Sequence, residues 1–593
     1  MTLQPDVNLH ICLNGKTITK EQNSKGMMKF FLLGYTSTGT CSNSISICDC
    51  VGTGKFAYTA GQAHTDHSSF IQNYTKSGAT NQTRVDFYGG TVGQATIKID
   101  TTSGGAITVS ANTVLNIYGG TINGALCYTA DGTKVNNNGA AIRIAGGTVN
   151  MYGGTICNGK ANNGGSIYLE GGTFNMHGGT ISGSSALNNG GSIFANSKDA
   201  TINMYPGAVI EGGSAVNGGN IHLVGAVLNM NGGEISGGTA TDRGGNISLT
   251  FSEVSAEANL KGGKVSGGTA KNAGGNVAAA GNGAKITISG ATVTGGTINP
   301  DATTASYTNS STYVNAYAGY GGNIYLQGNS TLTMTDGEVS NGTINVTGTG
   351  LGLGGNIALI AWKNSDKQLA GTITISGGVV KNGKITSSSS KENGNTVLGG
   401  ANIAVGGATS TGMDQKGTLN LTAGQLLIES DEYGLFYTGT ATKAYAKGGN
   451  LYVSPGSTAN INAAAGKSIL ISGGYTNTKN WAAGGNIYNA GTLKMTGDVT
   501  VSGGHGTTQL DGGNLYGPAT VTGAKFLNGN SKTGGGICLE SGTSTFTSCE
   551  FEGNVATSQG GAVYLKGNPT VTFTDCTFTE NRAGTYGGAL GAA

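Results

Sequence analysis

The sequence predicts an all-β protein folded as a single-stranded parallel β-helix, or β-solenoid, with about 26 residues per turn. A Gly-Gly pair followed by a small or amide residue and an aliphatic residue recurs along the chain at intervals that cluster near 26 residues. Glycine supplies 110 of 593 residues and proline only 6, which excludes collagen and disfavours helices. A fixed period of this length is typical of solenoids.

Within each interval, short apolar alternations flank a glycine-containing bend. The segments FNMHGGTI from Phe174 and ITISGGVV from Ile373 show the pattern, with an offset of five residues from the apolar residue before the bend to the aliphatic residue after it. We therefore expect three short strands per repeat. Such strands bury an apolar face only when each turn of chain stacks on the previous one at about 4.8 Å.

The residue after the Gly-Gly pair is an asparagine in a long series of repeats. Stacked amides can hydrogen-bond along the axis, so we expect a structural ladder rather than a row of ligand-binding amides. Its predicted members are Asn220, Asn246, Asn276, Asn323, Asn356, Asn402, Asn450, Asn486 and Asn514.

Composition excludes several classes of function. A net charge of +2 without a basic stripe does not suit a nucleic-acid binder, and no apolar stretch is long enough to span a membrane. Nine cysteines are an odd, sparse set, so the fold cannot depend on a disulfide framework. No cofactor or metal ion is predicted. The only His/Asp cluster, at His64, Asp66 and His67, is interpreted as an ordinary polar loop.

The C-terminal segments 546–565 and 573–590 resemble the paired GGAI and FxxN motifs of polymorphic outer membrane protein repeats. The central GGT[VI] and GG[NS]I turns, with LHICLNGKTIT from Leu9, are similar to adhesin-like surface proteins of gut Gram-positive bacteria. The resemblance implies a right-handed β-helix and an extracellular or cell-surface location, and it carries over no catalytic residue. We expect that the chain is a fragment, with its signal and anchor not present.

Long intervals between residues 274 and 484 predict loop insertions on one flank, at about 297–483. We therefore divide the chain into an N-terminal cap with irregular first turns (1–84) and a β-helix (85–593). Aromatic rings in the insertions could stack on sugars or on protein partners. The candidate binding residues are Tyr307, Tyr313, Tyr317, Tyr320, Tyr433, Tyr437 and Trp481.

These patterns predict a secreted or surface-displayed scaffold of adhesin type that binds host proteins or glycans through this flank. One alternative is a polysaccharide lyase or glycosidase on the same fold. Glu234 and Glu338 lie three turns apart, about 14 Å at the spacing of stacked strands, which is too far for a catalytic pair. The acidic group Glu429, Asp431 and Glu432, with Asp414, is left as the candidate for catalysis. The other alternative is a stalk with no specific ligand, and end-to-end self-association is possible.

Overall fold

A computed structural model describes residues 7–20, 31–33, 40–58, 71–73, 80–92, 107–124, 138–251, 254–281, 283–300, 317–347, 350–360, 362–364, 367–388, 396–407, 416–440, 444–507 and 509–593. These residues form strands, bends and turns and contain no helix, so the described part has no helix that could cross a membrane. The fold consists of two compact units, Met1–Gly268 (unit 1) and Thr269–Ala593 (unit 2). The division predicted at residue 84 stays a prediction.

In unit 1, equivalent strands of successive turns pair in parallel and form four rows. The first row contains the strands that follow the Gly-Gly corner, with their pairing partners nearer the N-terminus: Phe31–Leu33, Ile71–Asn73, Ile107–Ser110, Ile142–Met151, Ile167–Met176, Ile193–Asn196, Ile221–Val224 and Ile247–Thr250. The second row shares the two long strands of the first and adds Asn8–Cys12, Thr40–Cys48, Thr80–Phe87, Thr113–Ile117, Ala200–Met204, Val227–Met230 and Glu257–Leu260. The third row is Thr17–Lys20, Lys55–Tyr58, Thr91–Val92, Thr121–Asn123, Thr155–Cys157, Gly179–Ser182, Ala208–Glu211, Glu234–Ser236 and Lys264–Ser266. The fourth row is Lys160–Asn163, Ser185–Asn189, Ser214–Asn217 and Thr239–Arg243.

Unit 2 repeats these four rows and adds a fifth. Its first row is Val277–Ala279, Ile324–Gln327, Ile357–Ile360, Ile403–Val405, Leu451–Val453, Ile487–Asn489, Leu515–Tyr516, Ile537–Leu539, Val563–Leu565 and Leu590–Ala592. The second is Lys285–Thr294, Thr331–Ser340, Thr372–Ile375, Thr418–Leu421, Thr458–Asn462, Thr492–Thr496, Thr520–Thr522, Thr543–Thr547 and Thr570–Thr574. The third shares the first two of these and adds Val379–Lys381, Gly424–Leu427, Ile469–Ser472, Val499–Ser502, Lys525–Leu527, Glu550–Glu552 and Thr577–Thr579.

The fourth row of unit 2 is Thr269–Ala270, Thr297–Ile298, Thr343–Val346, Lys384–Ser387, Gly434–Tyr437, Tyr475–Asn477 and His505–Gly506. The fifth row, which runs into the Gly-Gly corner, is Tyr317–Tyr320, Gly350–Leu353, Thr396–Gly399, Ala444–Lys447, Trp481–Ala483, Leu510–Asp511, Asn530–Thr533, Val555–Gln559 and Arg582–Ala583. A short antiparallel hairpin, Trp362–Asn364 with Lys367–Leu369, leaves the stack. The predicted all-β parallel β-helix is confirmed.

The core of each unit consists of stacked aliphatic columns. Ile324 pairs in register with Ile357, and Ile357 pairs with Ile403. All three side chains are fully buried. Because side chains alternate across a strand, in-register stacking converts the repeated letters of the sequence into continuous apolar columns.

The corner at Gly484 and Gly485 leaves no room for a side chain. At Gly484 the backbone has φ of +68°, which favours glycine, and a Cβ atom there would overlap the carbonyl oxygen of Ile487. At Gly485 a Cβ atom would overlap the carbonyl oxygen of Gly513 in the next turn. In this turn the first glycine is therefore required by the bend and the second by the stacking, whereas the turn of Gly400 has a buried alanine, Ala401, at the second position.

The predicted loop insertions are partly strands, which the sequence interpretation did not anticipate. Thr343–Val346 and Gly350–Leu353 both lie within one predicted insertion and belong to the fourth and fifth rows. Their backbones pair in register with strands of the neighbouring turns, so these two segments extend the wall of the stack instead of leaving it.

The asparagines after the Gly-Gly pair have side chains that are fully buried and hydrogen-bonded to one another. Asn356 Nδ2 donates to Asn402 Oδ1 and to the carbonyl oxygen of Lys381, each at 2.7 Å. Its Oδ1 accepts from Asn323 Nδ2 at 2.7 Å and from the Gly342 amide at 2.8 Å. All four hydrogen-bonding capacities of the amide are therefore used, and none faces solvent. Amide contacts join the following pairs: Asn220–Asn246 in unit 1, and Asn276–Asn323, Asn402–Asn450, Asn450–Asn486 and Asn486–Asn514 in unit 2.

The ladder continues where the motif changes. Gly536 occupies the asparagine position of its turn, and the space is filled by Asn554, which belongs to the FxxN motif of the following turn. Asn554 Oδ1 accepts from Asn514 Nδ2 at 3.3 Å and from the Gly529 amide at 2.9 Å. Its Nδ2 donates to Asn581 Oδ1 at 2.9 Å, so the FxxN asparagines provide the same contacts from another position in the chain.

His222 is a buried, polar member of the first row in unit 1. It stacks between Phe194 and Ser248 in register, and its Nε2 lies 3.2 Å from Thr250 Oγ1 while Nδ1 has no partner. Burial lowers the pKa of its imidazole to about 3, so the ring is neutral in the folded protein at neutral pH.

We expect Asn356→Ala to lower the free energy of unfolding by about 2–4 kcal/mol, because it leaves several buried donors and acceptors unpaired. Chemical denaturation measures this, and Asn323→Ala should behave alike. The matched control is Asn460→Ala, since Asn460 is half-buried and donates only to Asn420 among side chains. Equal losses from Asn356→Ala and Asn460→Ala would contradict a structural role for the buried ladder.

We expect His222→Phe to reduce the loss of unfolding free energy that the protein shows at acidic pH. Since the folded pKa lies below the unfolded value of about 6.5, the unfolded chain binds the proton first, and stability falls by up to ~1.4 kcal/mol per pH unit as the pH drops from 6.5 toward 3. Urea denaturation at pH 7 and pH 4.5 compares this variant with the unsubstituted protein and with His177→Phe, whose ring is exposed. A pH dependence shared by all three proteins would rule out the assignment to His222.

Candidate binding groove

Outward side chains meet across the Gly-Gly corner in unit 2. Trp481 lies before the corner and Tyr488 after it, and their rings contact edge to face with centroids 6.5 Å apart. Trp481 also meets Tyr516 of the next turn at 5.4 Å. Side chains on opposite sides of a bend touch on the outside only when the bend is re-entrant. The corner therefore forms a groove, lined by the first and fifth rows, which we call the corner groove.

Aromatic rings follow one side of the corner groove. Tyr452, Tyr488 and Tyr516 are in register in the first row and stack at 5.5 Å per step, with interplanar angles of 9° and 5°. Tyr452 and Tyr516 are buried, and Tyr488 is half-buried. On the other side, Tyr445 contacts Trp481 edge to face at 6.0 Å. Burial raises the pKa of the Tyr488 hydroxyl to about 12, so the hydroxyl stays protonated and can donate a hydrogen bond at neutral pH.

Asp511 and Lys566 organise the charges near Trp481. Asp511 Oδ2 accepts from Trp481 Nε1 at 3.0 Å and lies 3.3 Å from Lys566 Nζ, while Oδ1 accepts from Thr533 Oγ1 at 2.6 Å. Burial alone lowers the pKa of Lys566, but the carboxylates of Asp511 and Glu540 outweigh it and raise that pKa. The network fixes the Trp481 indole in one orientation.

Glu540 is the second carboxylate beside Lys566. Its Oε1 lies 3.5 Å from Lys566 Nζ, and its Oε2 accepts the hydrogen bond of the Tyr516 hydroxyl. Burial, followed by this contact with Glu540, raises the pKa of Tyr516. Both carboxylates of the groove are thus engaged by protein groups, an arrangement that suits a rigid binding surface better than acid–base catalysis.

Lys447 lies against rings rather than carboxylates. Its Nζ is 4.8 Å from the Tyr488 centroid and 5.8 Å from those of Tyr445 and Trp481. No carboxylate in the described part of unit 2 lies within 4.0 Å of this ammonium group. Burial lowers its pKa. An ammonium group that contacts only ring faces can still form an ion pair with a bound anion.

The predicted binding residues are distributed differently. Tyr307 and Tyr313 lie outside the described residues, and of Tyr317 only the backbone is described. Tyr320 is half-buried and packs on Tyr325 at 5.9 Å.

The remaining predicted residues divide between the core, the surface and the groove. Tyr437 points inward and is 3% exposed, because alternation in Gly434–Tyr437 turns Leu435 and Tyr437 to the core. Tyr433 is half-buried in a turn. Among the predicted residues with described side chains, Trp481 and Tyr320 line the corner groove, since both belong to the fifth row and contact rings of the first row.

The acidic group does not gather into one site. Glu429 lies 3.6 Å from Lys381 Nζ and exchanges hydrogen bonds with Asn382. Asp431 Oδ1 instead lies 2.8 Å from His505 Nε2, and Glu432 is exposed. Asp414, like the cluster of His64, Asp66 and His67, lies outside the described residues.

Unit 1 carries an exposed aromatic row that the sequence reasoning missed. Tyr88, Tyr118, Tyr152, His177 and Tyr205 precede the bend after the second row in successive turns and stack at 4.5–5.1 Å with interplanar angles of 8–9°. The signal was the repeated aromatic letter before Gly-Gly or Pro-Gly. Because each ring covers the face of the next, the row presents edges and hydroxyls rather than ring faces.

Sequence reasoning also missed Lys447, Asp511, Glu540 and Lys566. They lie in different turns, and their proximity depends on the re-entrant bend. A periodic signal existed only for the tyrosines after the corner, written as NIY or NLY in the repeats of Tyr325, Tyr452, Tyr488 and Tyr516.

Residues 548–566 and 575–593 match the Chlamydia polymorphic membrane protein (Chlamydia_PMP) repeat. No curated protein and no solved structure matches the chain significantly. The matched segments contain the FxxN asparagines Asn554 and Asn581 of the ladder. The resemblance to polymorphic membrane protein repeats is thereby confirmed for the last two turns.

We expect Asp511→Ala to destabilise the protein by about 1–3 kcal/mol, because Trp481 Nε1, Thr533 Oγ1 and Lys566 lose their common acceptor. The control, Asp431→Ala, removes an exposed carboxylate and should change stability by less than about 0.5 kcal/mol. Thermal denaturation followed by Trp fluorescence measures both. A loss for Asp511→Ala no larger than for Asp431→Ala would contradict the network.

Proposed function

We propose that this chain is a scaffold of adhesin type, displayed at the cell surface or secreted, that binds glycans in the corner groove of unit 2. The main observation that supports glycan binding is the fixed orientation of the Trp481 indole. Tyr445 and Tyr488 surround this ring, and Lys447 and Lys566 flank it. Rings supply apolar surface for sugar C–H groups, and nearby donors fix the hydroxyls.

The surface location is supported by the resemblance of the last two turns to repeats of polymorphic membrane proteins. The wall of stacked strands supports a binding role, since side chains on strands are held more precisely than those on loops.

We propose further that the favoured glycans carry carboxylate or sulfate groups. Lys447 is the residue that supports this, because its ammonium group contacts rings and has no carboxylate partner among the described residues of unit 2. An anionic group of the ligand would pair with the Lys447 ammonium group. The pairing would offset the free-energy cost of burying its positive charge.

We expect the unsubstituted protein to bind acidic glycans on an array and Trp481→Ala to bind about tenfold or more weakly, the typical effect of losing an aromatic contact at the centre of a site. Lys447→Met should reduce binding of acidic glycans and leave neutral ones unchanged. Tyr118→Ala, which removes an exposed ring of unit 1, is the matched control. Binding is measured by isothermal titration with the best array ligand.

Three results would contradict the proposal. Binding that is unaffected by Trp481→Ala would place the site elsewhere. The absence of binding to glycans would favour a stalk. New reducing or unsaturated ends after incubation with the glycan would favour an enzyme on this fold.

A further inference from the structure

Three thiols converge in unit 1, far along the chain from the corner groove. The Sγ atoms of Cys12, Cys48 and Cys50 all lie within 4.8 Å of one another. Cys12 ends a strand of the second row, and its register partner in the next turn is Cys48. The Sγ atoms of Cys12 and Cys50 are 2.9 Å apart.

Asp49 holds the two bends that carry these thiols. Its Oδ1 accepts from the Gly15 amide at 2.7 Å and its Oδ2 from the Gly54 amide at 2.5 Å. A further backbone bond joins the Leu13 amide to the carbonyl oxygen of Cys48 at 2.9 Å. Because one carboxylate bridges the bend after Cys12 and the bend after Cys50, the two backbone segments that carry these cysteines are held close together.

We propose that Cys12 and Cys50 form a disulfide that joins two successive turns of unit 1, with Cys48 remaining a free thiol. The separation of 2.9 Å is less than the ~3.8 Å that separates two thiolates on one tetrahedral zinc ion, and it leaves a short movement to a disulfide bond of about 2.05 Å. Both residues are exposed, so a soluble oxidant can reach them.

The oxidant is a low-molecular-weight disulfide. The Cys12 thiolate attacks one sulfur of that disulfide, forms a mixed disulfide and releases one thiolate. The Cys50 thiolate, after losing its proton to solvent, attacks the Cys12 sulfur and releases the second thiolate. Two protein thiols are oxidised to one disulfide, and the small disulfide is reduced to two thiols.

The environment favours Cys12 as the attacking group. The hydrogen bond from the Cys50 thiol, with backbone contacts, lowers the pKa of Cys12 to about 7, whereas the hydrogen bond with Cys12 raises the pKa of Cys48 to about 11. The thiolate is the nucleophile in exchange, so at neutral pH Cys12 reacts before Cys48.

The test uses the full chain, reduced and then freed of reductant under anaerobic conditions. It is incubated with oxidised glutathione, quenched in acid, alkylated and digested, and the peptides are identified by mass spectrometry. We expect a Cys12–Cys50 cross-link, an alkylated Cys48, and a rate that rises with pH with a midpoint near 7.

Variants separate the roles of the three thiols. Cys48→Ser should form the Cys12–Cys50 link at an unchanged rate. Cys50→Ser should accumulate the mixed disulfide on Cys12. Cys157→Ser is the control, since Cys157 is a half-buried thiol elsewhere in unit 1.

A dominant Cys12–Cys48 link would overturn the proposal, as would a reaction rate at Cys12 equal to that at Cys157. Titration of the reduced chain with zinc chloride tests whether the three thiols bind a metal ion instead. Stoichiometric binding that protects all three thiols from alkylation would replace the disulfide by a metal site.

Discussion

Stacking in register at the Gly-Gly corner is the constraint on which the remaining structure depends. At Gly484 the positive φ and the Ile487 carbonyl require glycine, and at Gly485 the Gly513 carbonyl of the next turn occupies the place of a side chain. The space behind the bend is closed by an asparagine whose amide has all four capacities satisfied inside the wall. With that amide in place, a circuit of backbone cannot shift relative to its neighbour without leaving buried polar groups unpaired.

Much of this fold could be predicted because the chain repeats itself. A single aliphatic residue such as Ile324 or Ile357 does not predict a structure. Its recurrence at a fixed offset predicts both the strand and the buried column to which the residue belongs. The fifth row could not be predicted in the same way. Segments such as Gly350–Leu353 are short and glycine-containing, so they read as loops until the neighbouring turn supplies their hydrogen-bond partners. Strand formation there is decided by the stack rather than by local propensity.

The corner groove depends even more on tertiary geometry. Trp481 was identified because aromatic residues in added segments suggest recognition, and it lies in the groove. Tyr437 carried the same signal, but strand alternation turns it into the core. Asp511 and Lys566 are separated by two turns of chain and lie on opposite sides of the corner, so their ion pair depends on the re-entrant bend as well as on stacking. The sequence shows which residues share a column. Whether two columns face each other depends on whether the bend between them is re-entrant, and the sequence does not show this.

The asparagine ladder passes from one repeat motif to another where Asn514 donates to Asn554. Two families of repeat, one with its amide directly after the glycines and one with its amide in the FxxN segment, present identical donors and acceptors at their shared boundary. A turn of the second kind can therefore follow a turn of the first without an adaptor between them. The outward residues of either kind can then differ while the interior joint remains unchanged.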